Sequence, residues 1–231
     1  MSDRELVSVI VPVFNGETHL AAALDSVLAQ RVPLDLLVVD DGSTDGTSDV
    51  LRGFGDRVRS VRQEHSGAAA ARNRGLALAR GSLLAFLDAD DLWTAGKLAR
   101  QIETLRAVPN LEAVFGHMVE FYSDELTASE RAALQCNSAP APGYTAGTLL
   151  IRRAAFARVG PFSTEWRIGE FVDWYARATE ARLRTALLPD IFLHRRLHRS
   201  NSGRRGEPSA VDYVRIARRA LERRRPAGQP E

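Results

Sequence analysis

Cysteine and lysine are nearly absent from this chain. Cys136 stands alone among 231 residues, which excludes an intrachain disulfide and a cysteine-based metal centre; with no histidine close to it in sequence it reads as a bystander. Lys97 is the single lysine among 31 basic residues, a bias that points to a high-G+C genome rather than to selection for guanidinium groups. No apolar run approaches the roughly 20 residues of a membrane span. The N-terminus enters an apolar segment almost at once, without a charged-then-apolar leader, so a cytoplasmic protein is expected. Charge of one sign is not in excess: the net charge is +2, and no aromatic platform interleaves the arginines, which argues against a nucleic-acid partner. The glycine-rich dinucleotide fingerprint is also missing, since Phe14-Asn15-Gly16-Glu17 stands where it would follow the first strand, and a nicotinamide-dependent oxidoreductase is disfavoured. With 45% hydrophobic and 26% charged residues the chain can bury one substantial core.

What is present is a repeated design in which apolar runs end in polar residues. Val7 to Asn15, Asp35 to Ser43 and Leu83 to Asp91 each run from continuous Val, Ile or Leu into side chains that carry charge or hydrogen bonds. Continuous apolar strands are those covered on both faces by helices. The helices between them are readable at Thr18 to Gln30, with Leu20, Ala23, Leu24, Val27 and Leu28 on one face, and at alanine-rich Gly67 to Arg80. This βαβ alternation from about residue 6 to about 107 predicts an open parallel sheet whose ligands bind at the carboxyl ends of the strands. The acidic cluster Asp88-Ala89-Asp90-Asp91 is costly there unless a cation joins it. If the strand stays extended, Asp88 and Asp90 emerge on one face, and hard oxygen donors suit Mg²⁺ or Mn²⁺ bridging to phosphate. The competing reading is an acidic turn capping a helix that starts near Thr94.

Four segments together resemble the family 2 glycosyltransferases of the GT-A fold: Val11-Pro12-Val13-Phe14-Asn15-Gly16-Glu17, Val39-Asp40-Asp41-Gly42-Ser43-Thr44-Asp45, Gly67 through Arg72-Asn73-Arg74-Gly75, and Leu87-Asp88-Ala89-Asp90-Asp91. The resemblance implies a nucleotide-sugar site, most often for a UDP-sugar, built from Pro12, Phe14, Asn15, Glu17, Asp40, Asp41, Arg72, Asp88, Ala89 and Asp90. Within it, Phe14 is similarly placed to the ring that stacks on the base, and Asp40 to the acceptor for the base N–H. Arg72 is placed to neutralise phosphate, and Asp90, with Asp88 and Asp91 beside it, to hold the metal. Each role has a physical basis. Stacking on an aromatic face contributes about 1–3 kcal/mol per base, a carboxylate can only accept, and guanidinium forks onto phosphate oxygens. Plain alternatives are open: Phe14 as core, Asp40 as a turn cap and Arg72 as a solvated helix residue.

The second half, about 108–207, is expected to complete catalysis on the acceptor side. Leu111 to Tyr122 reads as a strand, Asp124 to Gln135 as a polar helix, and Asn137 to Gly143 as a loop. In Gly169-Glu170-Phe171-Val172-Asp173, relatives carry a Glu-Asp pair whose second acid serves as base; here that position is Phe171. The resemblance therefore moves the base to Glu170, or to Asp173 three residues on and nearly on the same helical face. The plain alternative is that both are first-turn acids that only favour the helix dipole. After a strand from Ala186 to Leu193, His198, or less directly His194, matches a histidine near metal and diphosphate. From Arg195 to Arg225 there are about eleven arginines and three acids. Val211, Val214, Ile216, Ala217 and Leu221 form one side of a basic helix in a C-terminal helix and tail over 208–231, suited to the body of the protein, an acidic acceptor or an anionic membrane surface.

The expected protein is thus α/β, of GT-A type: a Rossmann-like, mostly parallel sheet flanked by helices with a mixed acceptor-side second half, one domain over 1–207. The implied activity is metal-dependent inverting glycosyl transfer, with Mg²⁺ or Mn²⁺, from a nucleotide-sugar to an acceptor of undetermined kind. A non-catalytic nucleotide-sugar-binding module and a nucleotidyltransferase are the alternatives.

Overall fold

The computed structural model describes residues 5–199, 201 and 208–224, the last segment with side chains from 211 onward. The end of the expected main domain at 207, and the tail beyond 224, lie outside the described residues. The first strands follow the expected alternation: β1 (Val7–Val13), α1 (Leu20–Leu28), β2 (Leu34–Asp40), α2 (Thr47–Phe54), β3 (Arg59–Arg62), α3 (Ala68–Leu78) and β4 (Leu83–Phe86). Then come β5 (Leu92–Trp93), α4 (Lys97–Ala107), β6 (Ala113–Tyr122), α5 (Ala128–Ala133), β7 (Ala141–Gly143), β8 (Leu150–Arg152), α6 (Arg153–Val159), α7 (Glu170–Glu180), β9 (Thr185–Leu197) and α8 (Pro208–Arg224).

One sheet runs through the described residues in the order β3-β2-β1-β4-β8-β6-β9-β5, with β7 on β6. The first four strands pair in parallel. The second half is mixed: β8 is antiparallel to β4 and β6, whereas β9 runs parallel to β6 and antiparallel to β5. Register aligns Val13 with Asp40 and Asp40 with Arg62, so the strand ends fall on one line and the residues just beyond them share an edge.

The continuous apolar strands divide their side chains between two layers, as a pleat of period two requires. Val7, Val9, Val11 and Val13 pack with Leu24, Val27, Leu98 and Leu105; Ile10, Leu84 and Phe86 face an aromatic layer of Phe115, Phe156, Phe162, Phe171 and Trp174. Gly75 lets α3 lie directly on β1, because a Cβ there would sit 2.4 Å from Ile10 Cγ2.

Three expectations are revised. The strand at the acidic cluster ends at Phe86, and Asp91 N–H bonds back to Asp88 O at 3.1 Å, so residues 88–91 turn rather than extend. The helix expected near Thr94 starts at Lys97, because β5 is inserted first. The strand expected over Ala186 to Leu193 continues to Leu197, placing His194 inside it.

Candidate active site

The edge at the ends of β1, β2 and β3 presents a pair of rings in tilted contact. Phe14 is 46% exposed, too open for core, and its ring lies 4.1 Å from that of His65 at 30°. The carboxylate of Asp41 builds this arrangement: it accepts from Gln63 Nε2, Ser66 N and Gly67 N and pairs with His65 Nδ1 at 2.9 Å. Asp40 accepts from Ser43 N at 2.8 Å and Arg62 Nη1 at 3.1 Å. Asn15, held at φ 53°, accepts from Thr44 N, and Glu17 accepts from Gly46 N. Asn15, Glu17 and Asp41 therefore tether three loops to one another, and Phe14 and His65 lie exposed on the surface those loops form. Pro12 is buried within β1, opposite Val39, and supports the edge from beneath.

The acidic turn divides its three carboxylates. Asp88 pairs with Arg72 Nη2, and the same guanidinium reaches Glu170 through Nη1. Arg72 is 4% exposed. Burial works against its charge, but Asp88 and Glu170 outweigh it and hold its pKa above the ordinary arginine value. Its Nε has no hydrogen-bond partner among the described residues. Asp90 meets His198 Nε2 at 2.7 Å and Asn201 Nδ2 at 3.5 Å. Asp91 turns inward, accepting from Arg196 N at 2.8 Å; burial first, then Asp90 and Asp88, push its carboxyl well above the usual range. Ala89 keeps the turn against the loop after β1, where a Cβ on Gly16 would lie 3.8 Å from its own.

Beside this turn, His19 lies with its ring 5.1 Å from that of His198 and Nε2 3.5 Å from Glu125. Burial, then Arg196, lowers its pKa. Glu170 opens α7 immediately after Gly169, which is left-handed at φ 89°. Phe171 is buried among Phe115, Trp174 and Tyr175, which explains an apolar residue beside the acid. Asp173 is buried too, accepting from Arg177 Nε at 2.9 Å and facing Arg223 at 3.5 Å. Arg177 in turn binds Val159 O and Pro161 O. Asp173 thus sits in the packing of α7 on its neighbours, and the two acids do not share a cleft-facing side.

The family model for glycosyl transferase family 2 matches residues 8–162. The chain belongs to that family. It is 32% identical over 204 residues to the glycosyltransferase AglE of Haloferax volcanii, covering 83% of this chain and 67% of AglE. It spans less than half of some other relatives, such as 42% of TuaG of Bacillus subtilis, named as a putative teichuronic acid biosynthesis glycosyltransferase, to which it is 44% identical over 105 residues, or 43% of this chain. The mannosyltransferase PcManGT of Pyrobaculum calidifontis, solved with GDP-Man and Mn²⁺, superposes over 96% of this chain and 65% of its own with a TM-score of 0.74 at 23% identity. The fold is therefore GT-A, as the resemblance of the four segments implied.

In this family 2 chain the structure brings Phe14, Asp40, Arg72, Asp88, Asp90, Glu170 and His198 to one sheet edge and its facing helix. His194 is elsewhere, in β9 against Phe121. Among the described residues no three acidic, imidazole or thiol groups cluster tightly enough to hold a metal. The donor chemistry nevertheless fits Mg²⁺ or Mn²⁺ at the carboxylates: Asp90 and Asp88 supply hard oxygen donors, and His198 adds a borderline imidazole nitrogen beside Asp90. His65 and His19 were missed. The only signal for His65 was its position after β3, opposite the two-carboxylate end of β2; His19 had none. Asn73, one residue after Arg72, bonds through its amide both N and O of Phe162, pinning the loop after α6 to the helix that carries Arg72.

Proposed function

We propose that the chain catalyses metal-dependent, inverting transfer of a glycosyl group from a nucleoside-diphosphate sugar, a UDP-sugar first, to an acceptor nucleophile. The observation that carries this reading is the Arg72 guanidinium joined to both Asp88 and Glu170, which links the acidic turn to the residue read as the base. The Phe14–His65 pair offers a platform for the base, and relatives of the same fold include one solved with UDP-GlcNAc. A divalent ion held by Asp90, with Asp88 and His198, would supply charge neutralisation at the diphosphate.

In the transfer, the acceptor attacks the anomeric carbon, its proton passes to Glu170 Oε, and the anomeric C–O bond breaks with its electron pair leaving on the nucleoside diphosphate. Arg72 and His198 stand where that new charge develops. Phosphate taking up Arg72 frees the Glu170 carboxylate from its guanidinium partner, so donor binding and the base share one side chain. Calorimetric titration of UDP with and without Mn²⁺ tests the donor site. Binding should need the metal and fail in Asp90→Ala; undiminished affinity in EDTA or in that variant overturns the reading.

A further inference from the structure

A basic pocket lies outside the donor edge, between α8 and the segment that leads into α7. Trp166, Arg215, Arg218, Arg219 and Glu222 line a volume of about 260 Å³. Arg215 and Arg219 hold their guanidinium groups over the Trp166 ring, 5.5 and 5.1 Å from its centroid, so the cations are positioned by stacking rather than left to roam. Trp166 is 4% exposed, and its indole N–H has no hydrogen-bond partner among the described residues, although buried indole N–H groups normally find one.

Two of the three counter-charges are close but exposed, and the third is distant. Arg218 pairs with Glu222 while both are largely exposed, Arg219 with an exposed Glu165, and Arg215 with Asp212 only at 3.8 Å. Exposed pairs of this kind contribute little and are readily exchanged, whereas phosphate or carboxylate can engage several guanidinium donors at once.

The position of the pocket gives it a use. Trp166 is four residues before Glu170, so their Cα atoms are at most about 14 Å apart. A Cβ on Gly169 would lie 2.9 Å from Ile216 and 3.0 Å from Tyr213, which seats α8 directly against the residue preceding the base. We infer that this pocket binds an anionic group, a phosphate or a carboxylate, carried by the acceptor while its nucleophile lies at Glu170. The acceptor role rests on the transfer reaction proposed above; anion binding by the pocket does not.

The test uses the whole chain labelled with 5-fluorotryptophan, with UDP and Mn²⁺ filling the donor site. The three tryptophans give separate fluorine resonances, and Trp166→Phe identifies the one of interest. Inorganic phosphate, or in a second series phosphatidylglycerol vesicles, should shift the Trp166 resonance saturably. The response should weaken at least about tenfold in the Arg215→Gln, Arg218→Gln, Arg219→Gln triple variant, with UDP affinity unchanged. If that variant does not fold, exposed Arg218→Glu makes the same comparison. A response to phosphate shows that the pocket takes the anionic group by itself, and one to vesicles alone shows that it takes the group only on a lipid headgroup. A Trp166 resonance unmoved by either, or moved equally in the variants, overturns the inference. Wild-type chain that fails to bind UDP overturns the transfer reading instead, and leaves the pocket to be judged by the resonance.

Discussion

Replacing Arg72 by methionine keeps most of the volume and removes the charge that two carboxylates share. Breaking a buried ion pair by deleting one partner costs about 3–5 kcal/mol, because the remaining charge is left without compensation. Here the two survivors differ. The Asp88 side chain is 48% exposed and rehydrates, so its part is discounted for solvent screening, whereas Glu170 is only 16% exposed and cannot fully do so. The lower end, about 3 kcal/mol, is therefore expected. For a chain of this length each kcal/mol moves Tm by about 2–4 °C, giving a fall of roughly 6–12 °C in thermal unfolding followed by circular dichroism without metal or nucleotide. Adding Glu170→Gln removes the stranded charge, and the double variant should regain about 1–2 kcal/mol over Arg72→Met. A Tm within about 2 °C of wild type, or a double variant no more stable than the single one, would refute the account of Arg72 as the electrostatic joint of the site.

Glu170→Gln should retain UDP binding and lose turnover by about 10²–10⁴, the usual contribution of a positioned base; Asp173→Asn should instead lower Tm with donor binding intact, and the reverse pattern in a steady-state assay reassigns the base. Lys97 is fully buried, its ammonium against Gln101 Oε1 and over Trp93, and burial lowers its pKa well below normal. The unfolded chain then binds the extra proton, so wild-type stability should rise with pH up to about 10.4, the unfolded value; in urea melts Lys97→Met should show no such rise. Arg158 holds the Glu112 carboxyl at about 2 from a usual 4.5, so its stabilisation is present above pH 4.5 and is lost as pH falls towards about 2. Glu112→Gln should flatten that acid limb of the unfolding curve.

The first half was legible because its signals are local: continuous apolar strands, helices of period 3.6, and polar residues at the strand ends. Individual polar roles were harder to read, since Asp40, Asp41, Asn15 and Glu17 look alike in sequence and only backbone register shows which hold loops and which face outward. The extended reading of Asp88 and Asp90 failed because pairing of β4 with β1 ends with Ile10 against Phe86, after which nothing keeps the chain straight. Lys97 reads as surface on composition alone, and its burial depends on Trp93 and Phe192 arriving from distant segments. The apolar stripe of α8 was also misread in part: Ile216 is buried against the body, while Val211, Val214 and Leu221 are exposed.

The placement of β5 and β8 has a consequence for dividing this protein. A cut near residue 107 looks natural in sequence, between a donor half and an acceptor half. In the sheet, however, β8 from the later segment lies beside β4, and β5 from the earlier segment closes the far side beyond β9. Fragments severed there would each expose one edge of a strand that is paired on both sides in the whole sheet, Leu83–Phe86 beside β1 in one and Leu150–Arg152 beside β6 in the other, and such edges invite aggregation. The two pieces are interleaved rather than hinged, so they can regain a native sheet only by folding around each other.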